Sequence, residues 1–228
     1  MFRGPTLAVL LSFGLLAPAS ADFQDGIVAF ERRDYATAYR EFLPLARQGN
    51  APAQYYVGAM YWTGHVVARD RAEALGWFRQ AANQGHGIAQ VMLGYAYQNG
   101  EGVPLDYAEA LKWYRRAAEQ GEPSGQTAIA GMYFFGLGVP QDSAEAAKWF
   151  RLAAGQGDPR AQHWLGEMYA SGDGVSQDSV QAYMWYSLSA RHGAGYSAPF
   201  RDKIAKRMTP GEIAQAQELV QAWKPKTR

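Results

Sequence analysis

The sequence predicts an all-α fold, built as a solenoid of antiparallel helix pairs. Within each pair the apolar residues follow helical spacing, and glycine recurs where one helix would end and the next begin. Four tryptophans recur at an unvarying interval of 36 residues: Trp77, Trp113, Trp149 and Trp185. A fixed period of this size is typical of repeat proteins in which each unit packs only on its neighbours. Such scaffolds serve binding, so the period predicts a class of activity but not a partner.

The composition is that of a folded chain. Of its 228 residues, 48% are hydrophobic and 19% charged, and the formal net charge is +1. This balance gives no indication of nucleic acid or anionic lipid as a partner. The chain has no cysteine, which excludes disulfides, a thiol nucleophile and a cysteine zinc site.

Residues 1–21 have the pattern of a secretory signal peptide. Arg3 is followed by an apolar stretch from Leu7 to Leu16, and Ala19-Ser20-Ala21 offers a small-x-small cleavage site. We expect cleavage after Ala21 and a periplasmic or secreted mature chain with no integral membrane segment. The alternative is a retained membrane anchor, but the apolar stretch is short for a bilayer span.

Residues 22–49 predict a first helix pair. Its second helix begins near Asp34, and Gly49 ends it. Pro44 lies inside that helix and is expected to kink it or shift its ends. Residues 34–49 align with residues 70–85 after a shift of one period, with Glu41 in place of tryptophan. The pair is therefore a variant end unit.

Four full units follow, at residues 50–85, 86–121, 122–157 and 158–193. The first helix of each, helix A, is expected to end at a glycine in the left-handed conformation: Gly64, Gly100, Gly136 and Gly172. Three of the loops continue as Gly-x-Gly. A phosphate-binding loop is disfavoured there, because no strand precedes the glycines and no lysine follows at the required spacing.

The second helix of each unit, helix B, opens with aspartate and carries Glu or Gln three residues later, a capping-box pattern. The same carboxylates could suggest acid–base catalysis, but their recurrence at every helix start favours capping. Each periodic tryptophan and the aromatic residue after it are predicted to pack between neighbouring units, which assigns them to stability rather than to a binding site.

The second full unit carries the clearest repeat motif: Ala89, Leu93-Gly94, Tyr97, Gly100 to Val103, Asp106, Ala110, Trp113-Tyr114, Ala117-Ala118 and Gln120-Gly121. This motif resembles the Sel1-like repeat, a branch of the tetratricopeptide superfamily, and the resemblance covers residues 50–193. Residues 22–49 look more like an ordinary tetratricopeptide repeat. The third full unit departs from the pattern, with Gly125 in place of alanine and Ala130-Gly131 displacing the glycine. The resemblance implies a right-handed α-solenoid and an adaptor role, with no catalytic residues and no cofactor.

Residues 194–228 are predicted to form capping helices and a tail. Phe200, Ile204 and Met208 are spaced for one short helix, and Thr209 begins a last helix that ends near Trp223. These helices would cover the open end of the array. The basic tail from Lys224 is expected to be disordered.

Partner binding is predicted on the concave face, because tetratricopeptide-like proteins grip partners with non-consensus positions of helix A. Mapped through the period, the candidate residues are Tyr55, Trp62, Tyr95, Gln98, Asn99, Phe134, Phe135, His163 and Glu167. Aromatic residues are common interface anchors, and the low charge of this face favours a protein or peptide partner with an apolar segment. The alternative is that some of these aromatics pack against the next helix A.

The leading hypothesis is a non-catalytic protein–protein interaction scaffold or regulator in the cell envelope; a narrower version is an inhibitor of a membrane sensor. The alternative is an envelope enzyme, or an enzyme-associated protein, acting on cell-wall material. The sequence lacks a Gly-x-Ser-x-Gly motif and a convincing acidic pair outside the capping positions. The four histidines lack zinc-helix spacing, so no metal site is predicted. The sequence leaves the oligomeric state open.

Overall fold

The computed structural model describes residues 22–226. The predicted signal peptide and the last two residues lie outside this range. The described chain folds into helices joined by short turns, with a single 3₁₀ turn at Gly195–Ser197. The helices are α1 (Phe23–Glu31), α2 (Tyr35–Arg47), α3 (Ala51–Thr63), α4 (Arg71–Asn83), α5 (Gly87–Asn99), α6 (Tyr107–Glu119), α7 (Pro123–Phe135), α8 (Ser143–Gly155), α9 (Pro159–Ser171), α10 (Ser179–Arg191), α11 (Ala198–Ala205) and α12 (Pro210–Ala222).

Each helix packs on the helix before it and the helix after it along the array, from α1 to α10, and α11 and α12 both pack on α10. The predicted all-α solenoid of helix pairs with C-terminal capping helices is confirmed. Helices α3, α5, α7 and α9 are the A helices. The B helices are α4, α6, α8 and α10, together with α2 of the N-terminal pair.

Glycine ends the helices as predicted. Gly64, Gly100, Gly136 and Gly172 follow the A helices with φ of 77°, 68°, 68° and 88°, the left-handed region that a residue without Cβ adopts without strain. The B helices end in a Schellman motif: after α4, Gly85 N–H donates to the carbonyl of Ala82, and His86 N–H donates to that of Ala81. The proline in α2 does not end that helix, which runs on to Arg47.

The aspartates cap the B helices, but their glutamate partners do not complete the box. Asp70 accepts from Glu73 N–H at 3.0 Å, whereas the Glu73 carboxylate accepts from the indole of Trp77 at 3.0 Å. Glu145 and Trp149 repeat this contact at 3.1 Å. Tryptophan lies four residues beyond the glutamate, so the two side chains meet on one helix face. Among the described helices, only α12 has the reciprocal box, between Thr209 and Glu212.

The centre of each helix pair is an aromatic side chain next to the periodic tryptophan. These aromatics are fully buried: Phe78, Tyr114, Phe150 and Tyr186. In three of the four units a glycine of helix A makes room for the ring, since a Cβ on Gly94 would lie 2.5 Å from the Tyr114 ring; in the third unit Ala130 packs against Phe150. Trp113 is 7% exposed and packs against α4 and α5, while the other periodic tryptophans are half-buried. Packing between units is therefore shared between the tryptophan and its neighbour.

A glutamine ladder, which sequence reasoning missed, ties the units together. Its rungs are four buried residues of the A helices, Gln54, Gln90, Gln126 and Gln162. Each donates its side-chain amide to a carbonyl at the end of the preceding B helix; Gln90 Nε2 lies 3.0 Å from Ala82 O. Each also accepts from a residue at the end of its own B helix. The four donors are Gln84, Gln120, Gln156 and His192, at 2.8, 3.0, 2.9 and 2.9 Å.

The C-terminal segment covers α10. Trp223 at the end of α12 packs on His192, with ring centroids 5.0 Å apart. Helix α11 is shorter than predicted, since it ends at Ala205 and leaves Met208 outside it. As far as residue 226 the prediction of a disordered tail is wrong. The Lys226 N–H donates to the carbonyl of Gly155 at 2.8 Å, because the end of α8 leaves carbonyls without helical partners. No helix within residues 22–226 is both long and apolar enough to cross a membrane.

Candidate functional site

The A helices form one continuous surface, here called the helix-A face, and this is the face predicted to be concave. The nine predicted binding residues all lie on α3, α5, α7 and α9. The structure divides them into three groups along the array. The side chains at α3 and α5 are held by contacts within the fold, the group at α7 includes the exposed Phe135, and the group at α9 contacts the capping segment.

Trp62 belongs to a closed cluster. The guanidinium of Arg71 lies 3.7 Å from the centroid of the indole, and Arg71 pairs with Glu101 at 2.7 Å. The Tyr95 ring packs nearly perpendicular to the indole of Trp62, with centroids 6.2 Å apart and an interplanar angle of 72°. A cation–π contact of this kind contributes about 0.5–2 kcal/mol. Trp62 thus follows the packing alternative. Tyr95 remains 42% exposed, and the nearby Glu101 carboxylate raises the pKa of its phenol.

Three further predicted residues of this group also serve the fold. Tyr55 stacks on His86 with centroids 5.0 Å apart, and burial raises the pKa of its phenol. Gln98 accepts from the hydroxyl of Tyr114 at 2.7 Å. Asn99 is exposed, yet its amide donates to the Tyr95 carbonyl at 2.8 Å in the last turn of α5. A partner would therefore have to displace internal contacts to bind these groups.

Phe134 and Phe135 form an open cluster with Trp164. The two phenylalanine rings meet edge-on at 5.1 Å, and each lies 5.4 Å from the Trp164 ring. Phe135 is 55% exposed. Sequence reasoning missed Trp164, although its place outside the 36-residue tryptophan period was visible in the sequence.

Trp62 and Phe134 occupy corresponding positions two units apart, whereas Phe135 corresponds to Thr63 and Trp164 corresponds to Met92. Shifted by two periods, Arg71 and Glu101 correspond to Ser143 and Asp173. Serine has neither the reach nor the charge to cover an aromatic ring, so the open cluster lacks the ion pair that covers Trp62. The cation–π contact that covers part of Trp62 is therefore absent at the corresponding Phe134.

His163 and Glu167 lie where α9 meets the capping segment. The His163 ring contacts Tyr196 and Phe200, with centroids 5.0 Å away in each case, and burial lowers the pKa of this histidine. Glu167 accepts from the hydroxyl of Tyr186 at 2.5 Å. Both side chains therefore make contacts within the fold, and their role in partner binding stays a prediction.

A cavity of about 210 Å³ opens between α9 and α11. It is lined by Glu167, Ala170, Ser171, Tyr186, Phe200, Lys203, Ile204 and Arg207. Aromatic contacts join it to the open cluster, because Trp164 lies 5.9 Å from His163 and His163 lies 5.0 Å from Phe200, measured between ring centroids. Sequence reasoning placed Lys203 and Arg207 in a cap, with no role in binding.

One contact resembles a nucleophile–base pair. The Nδ1 atom of His163 lies 3.0 Å from the hydroxyl oxygen of Ser197. Ser197 is fully buried, and its hydroxyl is also bonded to Ser189 at 2.8 Å. A nucleophile must reach its substrate, and the Ser197 hydroxyl is buried. Its bonds to His163 and Ser189 instead hold the 3₁₀ turn against α9 and α10. Within residues 22–226, no three histidine or acidic side chains are grouped to hold a metal ion.

Comparison with known proteins identifies the repeat. The family model described as "Sel1 repeat" matches residues 51–86, 87–122, 123–158 and 159–193. No curated protein sequence matches the chain significantly.

Solved structures of similar fold come from several bacteria. A Sel1 repeat protein from Oxalobacter formigenes is 28% identical, with a TM-score of 0.74 over 92% of this chain and 91% of that chain. A protective antigen present in uropathogenic Escherichia coli strains is also 28% identical, with a TM-score of 0.55 over 88% of this chain and 52% of that chain. A Sel1 repeat protein from Klebsiella pneumoniae, 20% identical with a TM-score of 0.56 over 80% of this chain and 91% of that chain, shows the fold alone.

Proposed function

The chain belongs to the Sel1 repeat family, and from this premise we propose that it is a non-catalytic scaffold or regulator of the cell envelope that binds a partner segment on its helix-A face. Sel1 repeat proteins are generally protein–protein interaction scaffolds. The envelope location rests on the signal-peptide pattern of residues 1–21. The non-catalytic role is supported by the burial of Ser197, which holds the one serine–histidine contact described above away from any substrate.

The observation that carries this proposal is the open cluster. Phe135 is 55% exposed beside the half-buried Phe134 and Trp164, on a face where Trp62 is partly covered by the Arg71–Glu101 ion pair. Aromatic side chains that are already held in place lose little conformational entropy on binding, and they are enriched among the residues that dominate interface energies. A partner segment with apolar side chains would bury this surface and gain about 25 cal/mol per Å² of apolar area.

A photocrosslinking experiment tests this site in the cell envelope. A p-benzoylphenylalanine residue replaces Phe135 in one variant and Leu152 in a second. Leu152 is a matched control, because it is 52% exposed but lies on helix B of the same unit. We expect irradiation of cells to give a discrete adduct from position 135 and none of that mass from position 152.

Substitution provides a second arm. Phe135→Ala should weaken capture of the position-135 partner at least tenfold, while Leu152→Ala leaves it unchanged and both variants keep the parental melting temperature. Exposed side chains contribute little to folding, so a loss of capture would report the interface. If Phe135→Ala captures the same partner as well as the parent, or if both positions crosslink to the same species, the proposed site is wrong.

A further inference from the structure

The cavity between α9 and α11 combines an apolar floor with a cationic rim. Ala170, Phe200 and Ile204 supply apolar lining, and Lys203 and Arg207 lie at its edge. Phe200 is 41% exposed, although it belongs to a segment that otherwise covers the end of the array. The Phe200 ring also packs on His163 and Tyr186, with centroids 5.0 and 5.7 Å away, so it is held in place with part of its surface open to the cavity.

The two cations are free to meet a ligand. Within residues 22–226, neither Lys203 nor Arg207 takes part in an ion pair. The carboxylate in the cavity, Glu167, already accepts from Tyr186 at 2.5 Å. Arg207 also borders a second cleft with Asp178 and Glu212, whose carboxylates accept from backbone N–H groups at the starts of α10 and α12. The lining of the first cavity therefore carries two cations and one anion, and it favours a negatively charged group.

The size of the cavity limits what the ligand can be. At about 210 Å³ it is smaller than the roughly 300–1,000 Å³ of a site for a whole small molecule, so it has room for one side chain and an adjoining charged group. The apolar side chains and the two cations line the same small space. A ligand that fills it therefore carries its apolar group and its negative charge on one residue. A polypeptide provides that combination at its C-terminal residue, where an α-carboxylate adjoins the side chain.

The surroundings supply a path for the residues that precede such a terminus. Ring contacts run from Phe135 through Trp164 and His163 to Phe200, with centroid separations of 5.4, 5.9 and 5.0 Å. Upstream apolar side chains of the same segment would lie along the open cluster. The cavity then fixes the end of the segment, and the aromatic contacts bind the part before it.

We propose that the cavity between α9 and α11 binds the C-terminal residue of a partner polypeptide, with its apolar side chain on Phe200 and Ile204 and its α-carboxylate on Lys203 and Arg207. The inference rests on the proposed function, since it specifies which part of the partner reaches the helix-A face. Arginine and lysine both bind carboxylates through charge-assisted hydrogen bonds, which are stronger than neutral ones.

The test uses the isotope-labelled chain and two small probes that differ only in charge. N-acetylphenylalanine carries a free carboxylate at pH 7, and N-acetylphenylalaninamide carries none. We expect the acid to shift the NMR signals of Ala170, Phe200 and Ile204 in a saturable way, with at least tenfold tighter binding than the amide. The double substitution Lys203→Gln/Arg207→Gln should reduce binding of the acid to that of the amide.

Lys206→Gln is the control for the loss of a positive charge outside the cavity. Lys206 lies next to α11 but outside the cavity lining, so its loss should leave the tenfold preference intact. Equal binding of acid and amide, or shifts that map away from α9 and α11, would overturn the proposal. So would an equal loss of binding in the Lys206 variant, because the effect would then be one of overall charge.

An internal acidic residue is the main rival source of carboxylate. N-acetyl-Asp-Phe-amide carries a side-chain carboxylate and no free terminus; if it binds as tightly as the acid, the assignment to a C-terminus is wrong. Failure of the proposed function is distinguishable from failure of this inference. Crosslinking at position 135 together with equal acid and amide binding rejects the cavity alone, whereas selective acid binding without a partner at position 135 rejects the broader site.

Discussion

His86 caps α5 with a ring nitrogen, where the other A helices are capped by the oxygens of Asn50, Glu122 and Asp158. Its Nδ1 atom accepts from the Ala89 N–H at 3.2 Å, which requires that this nitrogen carry no proton. Burial lowers the pKa of His86 in the folded chain, and the nearby Glu122 carboxylate offsets part of that effect. The cap therefore depends on pH in a way that an asparagine cap does not.

We predict that His86→Asn removes a pH-dependent part of the stability. The unfolded chain binds the proton at the ordinary pKa of about 6.5, above that of the folded chain, so the stabilisation is complete above that pH and is lost as pH falls. Urea unfolding at pH 8 and pH 5 measures it. The free-energy difference between parent and variant should change by about 1 kcal/mol in favour of the variant at pH 5. A difference that is the same at both pH values would contradict the assignment, since the other histidines are common to both chains.

The sequence shows which positions of the repeat are aromatic, but it does not show which of those side chains are exposed. Trp62 and Phe134 occupy one position of the repeat and were equally good candidates. Arg71 and Glu101 form an ion pair beside Trp62, whereas Ser143 and Asp173, at the corresponding positions, form none beside Phe134. The period identifies the aromatic positions, but exposure depends on side chains contributed by two other elements, and periodicity does not report those.

Among the elements, the A helices carry two glycines with opposite physical roles. A Cβ on Gly94 would lie 2.5 Å from the ring of Tyr114, whereas a Cβ on Gly131 would meet nothing within 4 Å. The displaced glycine of the third unit is therefore not needed for packing, since Ala130 takes the interior position against Phe150.

We expect these two glycines to respond oppositely to alanine. Gly94→Ala should destabilise the chain by about 1–3 kcal/mol through overpacking, because Tyr114 is fully buried and has no space to yield. Gly131→Ala should stabilise it by about 0.5–1 kcal/mol, the usual gain when glycine leaves a helix interior. Guanidinium unfolding of both variants tests the pair. Equal effects would mean that α5 and α6 do not approach as closely as the structure shows.

The glutamine ladder gives a second prediction for the contact between helix pairs. Gln90→Ala leaves the carbonyl of Ala82 and the amide of Gln120 without this partner, and it should cost about 1–3 kcal/mol. Gln120→Ala removes only the exposed partner of Gln90, which keeps its bond to the Ala82 carbonyl, and should cost less than 1 kcal/mol. Urea unfolding ranks the two, and a Gln120 variant as unstable as the Gln90 variant would show that the buried rung does not carry the contact.

Across the whole molecule, the capping segment should limit fraying of the array. A chain that ends at Gly193 would expose Tyr186 and the flank of α10, where α11 and α12 pack. In a solenoid each unit is stabilised by its neighbours, so we predict that hydrogen-exchange protection falls most in α9 and α10 and least in α3 and α4.

A milder truncation is the control for that experiment. A chain that ends at Trp223 loses only the tail and its bond from Lys226 N–H to Gly155 O, so it should keep parental protection in α10. A uniform loss of protection from α1 to α10 in the longer truncation would contradict the nearest-neighbour picture.

Most of the fold could be predicted from the sequence because its signals are local. Caps and terminating glycines act within a few residues of a helix end, and the period copies them from unit to unit. The ladder was missed because its partners lie 8 and 30 residues away on other helices, as Ala82 and Gln120 do from Gln90. The ordered tail was missed for the same reason, since the carbonyl that binds Lys226 belongs to α8.

The constant offsets of the ladder make length an adjustable property of this protein. Each rung takes its acceptor from the preceding B helix and its donor from its own B helix, at the same sequence distances in every unit. A duplicated copy of residues 87–122, inserted after Glu122, would recreate every one of these bonds without altering either end of the chain. The distance between the N-terminal pair and the Lys203–Arg207 cavity could then be extended one unit at a time, which would turn the reach of the binding surface into a quantity that an experimenter can set.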